Sequence, residues 1–257
     1  MILVTGATGF VGRALIMRLL ANDVNVLAGV RTRLVGFPDA VQEAVIGDLS
    51  VLGDASLALK HTLFEDVDIV VHTAARVHIM NDTSNDPLEE FRKVNTYATL
   101  NLAKQAADSG VKRFVFLSSI KVNGELTMPC HLFSSDDTFV PTDPYGLSKY
   151  EAEQGLLALA KETGMEVVII RPPLVYGPGV KANFASMMRW MEKSIPLPFG
   201  AIHNQRSLVA LDNLVSFIIH CIDHPKAANE IFLISDGEDV STTELLQKVA
   251  TAFRKKP

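Results

Sequence analysis

Tyr145 and Lys149 lie four positions apart, and the pair Ser118-Ser119 ends an apolar run upstream of them. On a helix, residues four apart share one face, so the phenol and the ammonium would be neighbours. An ammonium beside a phenol favours the phenolate and lowers the pKa of the tyrosine. Such a tyrosine can exchange a proton with a sugar or alcohol oxygen while a serine hydroxyl holds the same oxygen. These residues predict acid–base chemistry at a hydroxyl or carbonyl group.

A glycine-rich segment near the N-terminus is the second chemical signal. The apolar run Ile2–Val4 leads into three glycines spaced three apart and then into a stretch with helical periodicity. The first glycine of such a segment permits a tight turn, the second lets a pyrophosphate approach the backbone, and the third lets helix and strand pack closely. Amides at the start of the helix then face the anion. The segment predicts a dinucleotide site formed by Gly6, Thr8, Gly9, Phe10, Val11 and Gly12.

The elements that must position these residues alternate between apolar runs of strand length and helical patterns. This alternation predicts right-handed βαβ units, and so an α/β fold with a Rossmann-type, doubly wound parallel sheet covered on both faces. Ligands bind at the carboxyl ends of such strands, where the motifs of this chain fall. The predicted strands are Ile2–Thr5, Val24–Gly29, Ala44–Ile46, Ile69–Thr73, Arg113–Leu117 and Glu166–Ile170, and the predicted helices are Gly9–Ala21, Asp54–Lys60, Glu90–Ser109 and Pro144–Thr163.

The pattern changes after Arg171, where Pro and Gly punctuate the chain. We predict an NAD(P)-binding Rossmann domain over residues 1–171 and a smaller α/β substrate lobe over residues 172–257. An amphipathic helix over Asp212–Asp223 is expected to pack back on the Rossmann domain. A strand over Ile231–Ile234 and a helix over Ser241–Arg254, capped by its serine, complete the prediction.

Charge and cysteine content narrow the class of protein. The chain has 257 residues and a formal net charge of −5, and both signs are spread along it. The sequence contains no run of basic residues, so we expect no binding to nucleic acid and no insertion into a membrane. Cys130 and Cys221 are the only cysteines and lack the spacing of metal ligands, so we expect free thiols, no metal site and a cytoplasmic protein. An apolar strand begins at residue 2, so we expect no signal peptide.

The glycine spacing, the serine upstream of the Tyr–Lys pair and the order of elements resemble the extended short-chain dehydrogenase/reductases of the NAD-dependent epimerase/dehydratase type. The resemblance extends over nearly the full chain. It implies that Tyr145 is the general acid/base, that Lys149 lowers its pKa and binds the nicotinamide ribose, and that Ser119 orients the substrate oxygen. Dehydratases of this family carry an Asp-Glu pair where this chain has Ile120 and Lys121, which argues against dehydration.

The same resemblance implies further cofactor contacts. Arg31 and Arg33 follow the second strand, where NAD-specific relatives place an acidic residue. Two arginines could clasp a 2′-phosphate, which favours NADP over NAD, and the alternative is a solvated loop. Asp48-Leu49 resembles the pair that contacts adenine, and Ala74-Ala75 resembles the small-residue loop that lets the cofactor approach. Asn95 is either a polar residue near the active site or an ordinary helix asparagine.

On the substrate side, Asn183 and Arg206 resemble residues that bind a diphosphate, and an arginine fork fits phosphate oxygens. Phe199 is expected to hold a uracil or thymine base. Arg76 and His78 could reach the sugar. The resemblance also implies a homodimer formed through the two long predicted helices, and, because relatives usually continue further, a chain truncated at its C-terminus.

The segments Ala74–Met80, Ser118–Glu125 and Asp143–Gln154 are similar to those of bacterial reductases that act on UDP-4-keto-6-deoxy-N-acetylhexosamines in surface-polysaccharide synthesis. The preferred prediction is therefore an enzyme that transfers hydride from NAD(P) to a UDP- or dTDP-sugar, most specifically such a 4-keto reductase. A UDP-sugar 4-epimerase with tightly bound NAD is the alternative. A cofactor-binding sensor without catalysis is a more remote one.

Overall fold

The computed structural model describes residues 1–33, 36–52, 63–77, 86–127, 131–180, 182–192, 202 and 204–253. The chain forms two compact units. The larger consists of Met1–Arg171 with Val215–Leu233, and the smaller of Pro172–Leu214 with Ile234–Pro257. The helix Leu211–Asp223 spans this division, and its longer part belongs to the larger unit.

A seven-stranded sheet forms the centre of the larger unit, and every neighbouring pair in it is parallel. Its order, β3-β2-β1-β4-β5-β6-β9, confirms the predicted doubly wound Rossmann-type fold. The inner strands are continuous apolar runs because both faces of a parallel sheet are buried. The strands are β1 (Ile2–Thr5), β2 (Val26–Val30), β3 (Gln42–Val45), β4 (Ile69–His72), β5 (Arg113–Leu117), β6 (Glu166–Arg171) and β9 (Ile231–Leu233).

Two helices of the larger unit begin at an aspartate cap followed by a proline. The Asp143 carboxylate accepts a hydrogen bond from the Gly146 amide, and Pro144 occupies the first helical position. Asp86 caps Glu89 in the same way at the helix that starts at Pro87, three residues before the predicted start. In the larger unit the helices are α1 (Phe10–Ala21), α2 (Leu49–Leu52), α3 (Pro87–Arg92), α4 (Ala98–Asp108) and α5 (Pro144–Thr163).

A π-helical turn over Lys93–Tyr97 joins α3 to α4, and such turns are frequent at functional sites. Leu102 of α4 and Leu156 of α5 are buried against the apolar face formed by Phe114 and Val70. Burial of a side chain of this size stabilises the fold by about 1.5–3 kcal/mol. This packing fixes α5 against the sheet, and α5 is the helix that carries the predicted Tyr–Lys pair.

The smaller unit contains a parallel pair of short strands, β7 (Leu174–Tyr176) and β8 (Leu208–Ala210), which the sequence did not predict. Its helices α6 (Ala182–Glu192) and α8 (Thr242–Ala252) share a small apolar cluster. Helix α7 is Leu211–Asp223, close to its predicted bounds. The helix predicted over residues 54–60 lies outside the described residues. In the ranges that are described, no helix is long and apolar enough to cross a membrane.

Candidate active site

The glycine segment packs directly against the end of β4. Gly6 has φ of +69°, and a Cβ built on it would lie 2.6 Å from the backbone nitrogen of Ala74. A Cβ on Gly12 would lie 2.3 Å from the carbonyl oxygen of Gly6. Distances this short leave no room for a side chain, so both positions require glycine. Helix α1 is thereby held close to the end of β1, as a dinucleotide fold requires.

The start of helix α1 fits a phosphate group. Its N-cap is Gly9, no side chain caps it in the described part of the chain, and its first turn contains no acidic residue. Thr8 and Gly9 are exposed, and Phe10 and Val11 are half-buried. Backbone amides at an uncapped N-terminus, with the positive end of the helix dipole, form an anion site. The six predicted residues of this segment therefore lie where a pyrophosphate would bind.

At the end of β2, Arg31 and Arg33 are both exposed. The Arg31 Nε lies 3.8 Å from a carboxylate oxygen of Asp48, which follows β3. Hydrogen bonds from the Ser50 amide and hydroxyl, at 2.9 and 2.8 Å, lower the pKa of the Asp48 carboxyl, and the charge of Arg31 contributes less. Leu49 is half-buried beside it. These residues form a charged, solvent-facing edge next to the anion site.

Asn95 lies in the π-helical turn and is fully buried. Its side chain accepts a hydrogen bond from the Arg76 amide at 2.8 Å and donates to the Arg76 carbonyl at 3.0 Å. The same amide group donates to the Ser148 hydroxyl on α5 at 3.0 Å. Asn95 thus ties the loop after β4, which includes Ala74-Ala75, to the helix that bears Tyr145. Of the two possibilities left by the sequence, the structure places it near the candidate active site.

Ser119, Tyr145 and Lys149 come together at the carboxyl end of β5. Ser119 is 9% exposed, its hydroxyl accepts a hydrogen bond from the Lys121 amide at 3.2 Å, and it lies close enough to Tyr145 to lower the pKa of that phenol. Tyr145 lies in the first turn of α5, and the ring of Phe91 packs edge-on against it with centroids 5.9 Å apart. Lys149 follows one turn later and is almost fully buried. The arrangement can hold an oxygen of a substrate between a hydroxyl and a phenol, as proton transfer requires.

The electrostatics of the Tyr–Lys pair differ from the prediction. Burial raises the pKa of Tyr145, the bond from Ser119 offsets part of that rise, and the charge of Asp143 adds to it. Burial lowers the pKa of Lys149 to about 7, against a smaller opposing effect of Glu153. A lysine that loses its proton below the pH at which the phenol ionises offers that phenol no charge. The side chains alone therefore do not lower the Tyr145 pKa as predicted, because desolvation outweighs their attraction.

The Lys149 ammonium has capacity for another ligand. Its Nζ lies 4.0 Å from the centre of the Phe116 ring and has no hydrogen-bond partner among the described residues. A buried ammonium without an acceptor is costly, and its charged form is favoured when an acceptor arrives. A ribose hydroxyl of a nicotinamide nucleotide supplies such an acceptor. The residues present therefore fit the predicted cofactor at both its pyrophosphate and its nicotinamide ends.

The predicted substrate residues are distributed differently. Arg206 lies in the smaller unit with its side chain exposed, and its backbone pairs with Val240 at 3.0 and 3.1 Å. Asn183 is the second residue of α6, and its side chain is outside the described residues. Phe199 and His78 also lie outside them. The structure therefore brings together the acid–base and cofactor residues in one unit and leaves the substrate assignments as predictions.

The sequence analysis missed a buried carboxylate beside the candidate active site. Glu153 is fully buried and forms an ion pair with Arg171 at 2.6 Å. The signal was present in the sequence, since Glu153 lies four residues after Lys149 and so one helical turn along the same face.

Comparison with known proteins matches residues 2–235 to the model of the NAD dependent epimerase/dehydratase family. A Vibrio cholerae protein named UDP-glucose 4-epimerase is 56% identical over 256 residues, which are 99% of this chain and 76% of that protein. Two proteins of this similarity belong to the same family.

Among solved structures, MoeE5 in complex with UDP-glucuronic acid and NAD superposes with a TM-score of 0.82 and 26% identity, over 100% of this chain and 83% of MoeE5. The UDP-glucose 4-epimerase of Thermotoga maritima, solved with UDP-glucose, gives a TM-score of 0.81 at 23% identity, over 100% of this chain and 84% of that one. The second likeness is one of fold alone.

Proposed function

We propose, from the premise that this chain belongs to the NAD dependent epimerase/dehydratase family, that it is a UDP-sugar 4-epimerase which interconverts UDP-glucose and UDP-galactose. The observation that carries the proposal is the 56% identity to a protein named UDP-glucose 4-epimerase. The sequence prediction of an enzyme of the nucleotide-sugar epimerase or reductase type is confirmed at that level. The narrower preference for a 4-keto reductase has less support than its own alternative, the epimerase.

In the proposed reaction, Tyr145 accepts the proton of the sugar 4-hydroxyl and later returns a proton to the same oxygen. Ser119, whose hydroxyl acts on the pKa of Tyr145, would hold that oxygen. NAD, held by the start of α1 and by Lys149, would supply reversible hydride transfer at C4 of the sugar. Proton transfer of this kind contributes about 10²–10⁴-fold to a rate. The oxygen keeps one position while the sugar face changes, so a single acid/base serves both directions.

The cofactor is held, in this proposal, by backbone groups and one ammonium. The uncapped amides of α1 would bind the pyrophosphate, and Gly6 and Gly12 let the backbone approach it. Lys149 would donate its unpaired Nζ protons to the ribose. Asp48-Leu49 and Ala74-Ala75 would contact the adenosine and the backbone of the dinucleotide. Tight binding of NAD is expected of an epimerase, because the cofactor returns to its starting state in each turnover.

A reductase that uses NADP is the second candidate, and the end of β2 is the observation that favours it. Arg31 and Arg33 are exposed there, and no acidic residue follows β2 directly to bind ribose hydroxyls. Arginine forks bind a 2′-phosphate by charge-assisted hydrogen bonds. The pairing of Arg31 with Asp48 opposes this, because that carboxylate would repel the phosphate. The sequence prediction of NADP over NAD is thus retained as part of this second proposal.

One set of assays separates the two candidates. Purified protein should carry NAD that survives gel filtration and should convert UDP-glucose to UDP-galactose without added cofactor. A reductase would instead oxidise NADPH stoichiometrically with a UDP-4-keto-6-deoxy-N-acetylhexosamine. Conversion of neither substrate, with intact folding and bound nucleotide, would refute both. That result would return the non-catalytic sensor to consideration.

Three further expectations belong to the proposal. Asn183 and Arg206 would bind the diphosphate of the UDP- or dTDP-sugar, with Phe199 against the base and Arg76 near the sugar. The smaller unit, Pro172–Leu214 with Ile234–Pro257, would form the substrate lobe. A cytoplasmic homodimer through the faces of α4 and α5 is also expected. Light scattering of the purified protein tests the dimer, since a mass of one chain would exclude it.

A further inference from the structure

Glu153 is held by an unusually complete set of hydrogen bonds for a fully buried carboxylate. One of its oxygens accepts from the Ser118 hydroxyl at 2.5 Å and from the Arg171 Nε at 3.0 Å. The other accepts from the Arg171 Nη2 at 2.6 Å and from the Arg171 Nε at 3.2 Å. Arg171 is only 3% exposed, so the pair is sealed from water. Two buried charges therefore lie one helical turn from Lys149.

The same network reaches the segment that presents Ser119. Arg171 also donates a hydrogen bond, from Nη1, to the Asn123 side-chain oxygen at 3.0 Å. Asn123 ends the short 3₁₀ helix that begins directly after Ser119, and it donates to the Asp137 carboxylate at 2.8 Å. Both ends of the segment Ser118–Asn123 are thereby fixed to the Glu153–Arg171 pair. The hydroxyl of Ser119 is positioned from both sides by one ion pair.

Stability alone gives little reason for such a pair. Desolvation of a carboxylate and a guanidinium costs several kcal/mol each, and well-packed apolar residues commonly stabilise a core equally or better. The location is more informative than the energy. Glu153 is the carboxylate that acts on Lys149 and raises its pKa, against the lowering caused by burial.

The groups that face the Tyr–Lys pair can be named from each neighbouring element. Lys149 faces Glu153 on its own helix, the Phe116 ring on β5, and His72 on β4. His72 is held neutral, because burial lowers its pKa to about 3. The charge of Lys149 contributes to lowering the pKa of His72. Tyr145 faces Ser119, Asp143 and the Phe91 ring. Glu153 is thus the negative charge that acts on Lys149 within the described residues.

We propose that Glu153, held by Arg171, is a positioning residue for the reaction: it fixes Ser118-Ser119 against helix α5 and keeps the Lys149 amine protonated beside Tyr145. This inference rests on the proposed function. The Tyr–Lys pair works as a phenolate beside an ammonium, a state that carries one proton between the two groups. Glu153 favours the form in which the proton resides on Lys149, and so increases the share of the pair that can accept the sugar proton.

The charge variants Glu153→Gln and Arg171→Met test the electrostatic part with opposite signs. Removal of the carboxylate lowers the Lys149 pKa, so the pH profile of kcat should move about one unit to lower pH. Its plateau should fall about tenfold, because the protonated-lysine form becomes rarer by the same factor. Arg171→Met leaves Glu153 with Lys149 as its cation, so the profile should move to higher pH. Loosened packing would lower kcat in both variants without opposite shifts.

Helix α5 offers a matched control. Glu151 also pairs with an arginine, Arg92, at 2.5 Å, but this pair is about 30% exposed and lies two residues from Glu153. Glu151→Gln should keep the wild-type pH profile. The proposal would be overturned if the pH profile of kcat were the same in wild type and in all three variants, Glu153→Gln, Arg171→Met and Glu151→Gln. A loss of rate without a change in this profile would not support it.

Ser118→Ala covers the case in which a charge variant does not fold. It keeps both charges and removes the 2.5 Å bond to Glu153. We expect kcat about tenfold lower, with KM and the pH profile unchanged, because Ser118-Ser119 loses its direct hydrogen bond to helix α5 while both charges remain. Wild-type kcat in this variant would overturn the positioning of Ser118-Ser119.

Failure of the proposed function would be recognised separately. If wild-type protein does not interconvert the UDP-sugars, the epimerase proposal fails, and calorimetric binding of NAD across the same pH range replaces kcat as the readout. The protonated Lys149 is the form that should hold the ribose, so NAD affinity should fall at lower pH in Glu153→Gln than in wild type. Identical binding profiles would then overturn this inference alone.

Discussion

Gly12→Ala is the substitution for which the structure predicts the sharpest loss. The new Cβ would lie 2.3 Å from the carbonyl oxygen of Gly6 and 2.7 Å from the Thr73 hydroxyl. The first is a backbone atom of the cofactor loop and cannot rotate away. Helix α1 must therefore move from the end of β1, and its N-terminal amides move with it.

The magnitude follows from two opposing effects. Alanine stabilises a helix interior by about 1 kcal/mol relative to glycine. Overpacking costs about 1–3 kcal/mol or more where neighbours cannot yield. The net loss should be up to about 2 kcal/mol, and a chain of this size then melts up to about 8 °C lower. NAD affinity should fall at least tenfold, because the anion site is displaced together with the helix.

Gly155→Ala, in the interior of α5, is the matched control. Its Cβ would lie 2.6 Å from Leu100, but the atoms concerned are the methyl ends of a flexible side chain. We expect a smaller change in melting temperature and unchanged NAD binding. Melting curves with and without NAD, together with calorimetric NAD affinity, measure both effects. Wild-type NAD affinity in Gly12→Ala would refute the assignment of Gly12 to the cofactor loop.

Three other predictions concern single side chains. Tyr145→Phe should lower epimerase kcat about 10²–10⁴-fold with NAD still bound, whereas Tyr150→Phe should retain activity, and equal activities would remove the acid/base role. Arg31→Asp should weaken NADP binding at least tenfold relative to NAD, and an unchanged ratio of the two calorimetric affinities would show that Arg31 does not select the cofactor. His72 binds a proton near pH 6.5 in the unfolded chain but only near pH 3 in the folded protein. The free energy of unfolding should therefore fall by up to about 1.4 kcal/mol for each unit by which the pH is lowered from 6.5 towards 3. Urea unfolding at several pH values should show a flatter dependence for His72→Gln and the wild-type slope for the exposed control His220→Gln, and equal slopes in all three would contradict a neutral buried His72.

The inner strands were predictable because burial on both faces of a parallel sheet leaves an unbroken apolar run. The bounds of β1 (Ile2–Thr5) and β5 (Arg113–Leu117) agree with the prediction. The edge strand β3 was predicted two residues late, since its sequence mixes polar and apolar residues and its ends are exposed. The three-residue strands Leu174–Tyr176 and Leu208–Ala210 are too short to show a period.

The early start of α3 could have been found from sequence. Asp86-Pro87 is a cap followed by a proline, the same signal that marks Asp143-Pro144 at α5. The prediction began the helix at Glu90 because apolar periodicity outweighed the cap. Local chemistry at a helix start is a better guide to its boundary than the pattern that follows it.

The candidate active site separates what spacing can predict from what burial decides. The motif around Tyr145 and Lys149 predicted that the two residues lie on one face of a helix, and both lie on α5, one turn apart. It did not predict that Lys149 would be sealed under Phe116 with a pKa of about 7, since that depends on strands brought in from elsewhere in the chain. Burial lowers the pKa of the lysine and raises the pKa of the tyrosine, so the expected lowering of the tyrosine pKa is not observed.

Two groups can offset that desolvation, and they act at different times. Glu153 is present in the protein at all times and raises the pKa of the lysine, though not enough to outweigh burial. A ribose hydroxyl arrives with the dinucleotide and gives the unpaired Nζ an acceptor. In the proposed mechanism, the Tyr–Lys pair would therefore become a proton acceptor when the cofactor is bound. A site built this way would keep the phenol protonated while the partner for hydride transfer is absent. The ionisation of Tyr145 should therefore follow a different pH profile in the NAD-free and the NAD-bound protein.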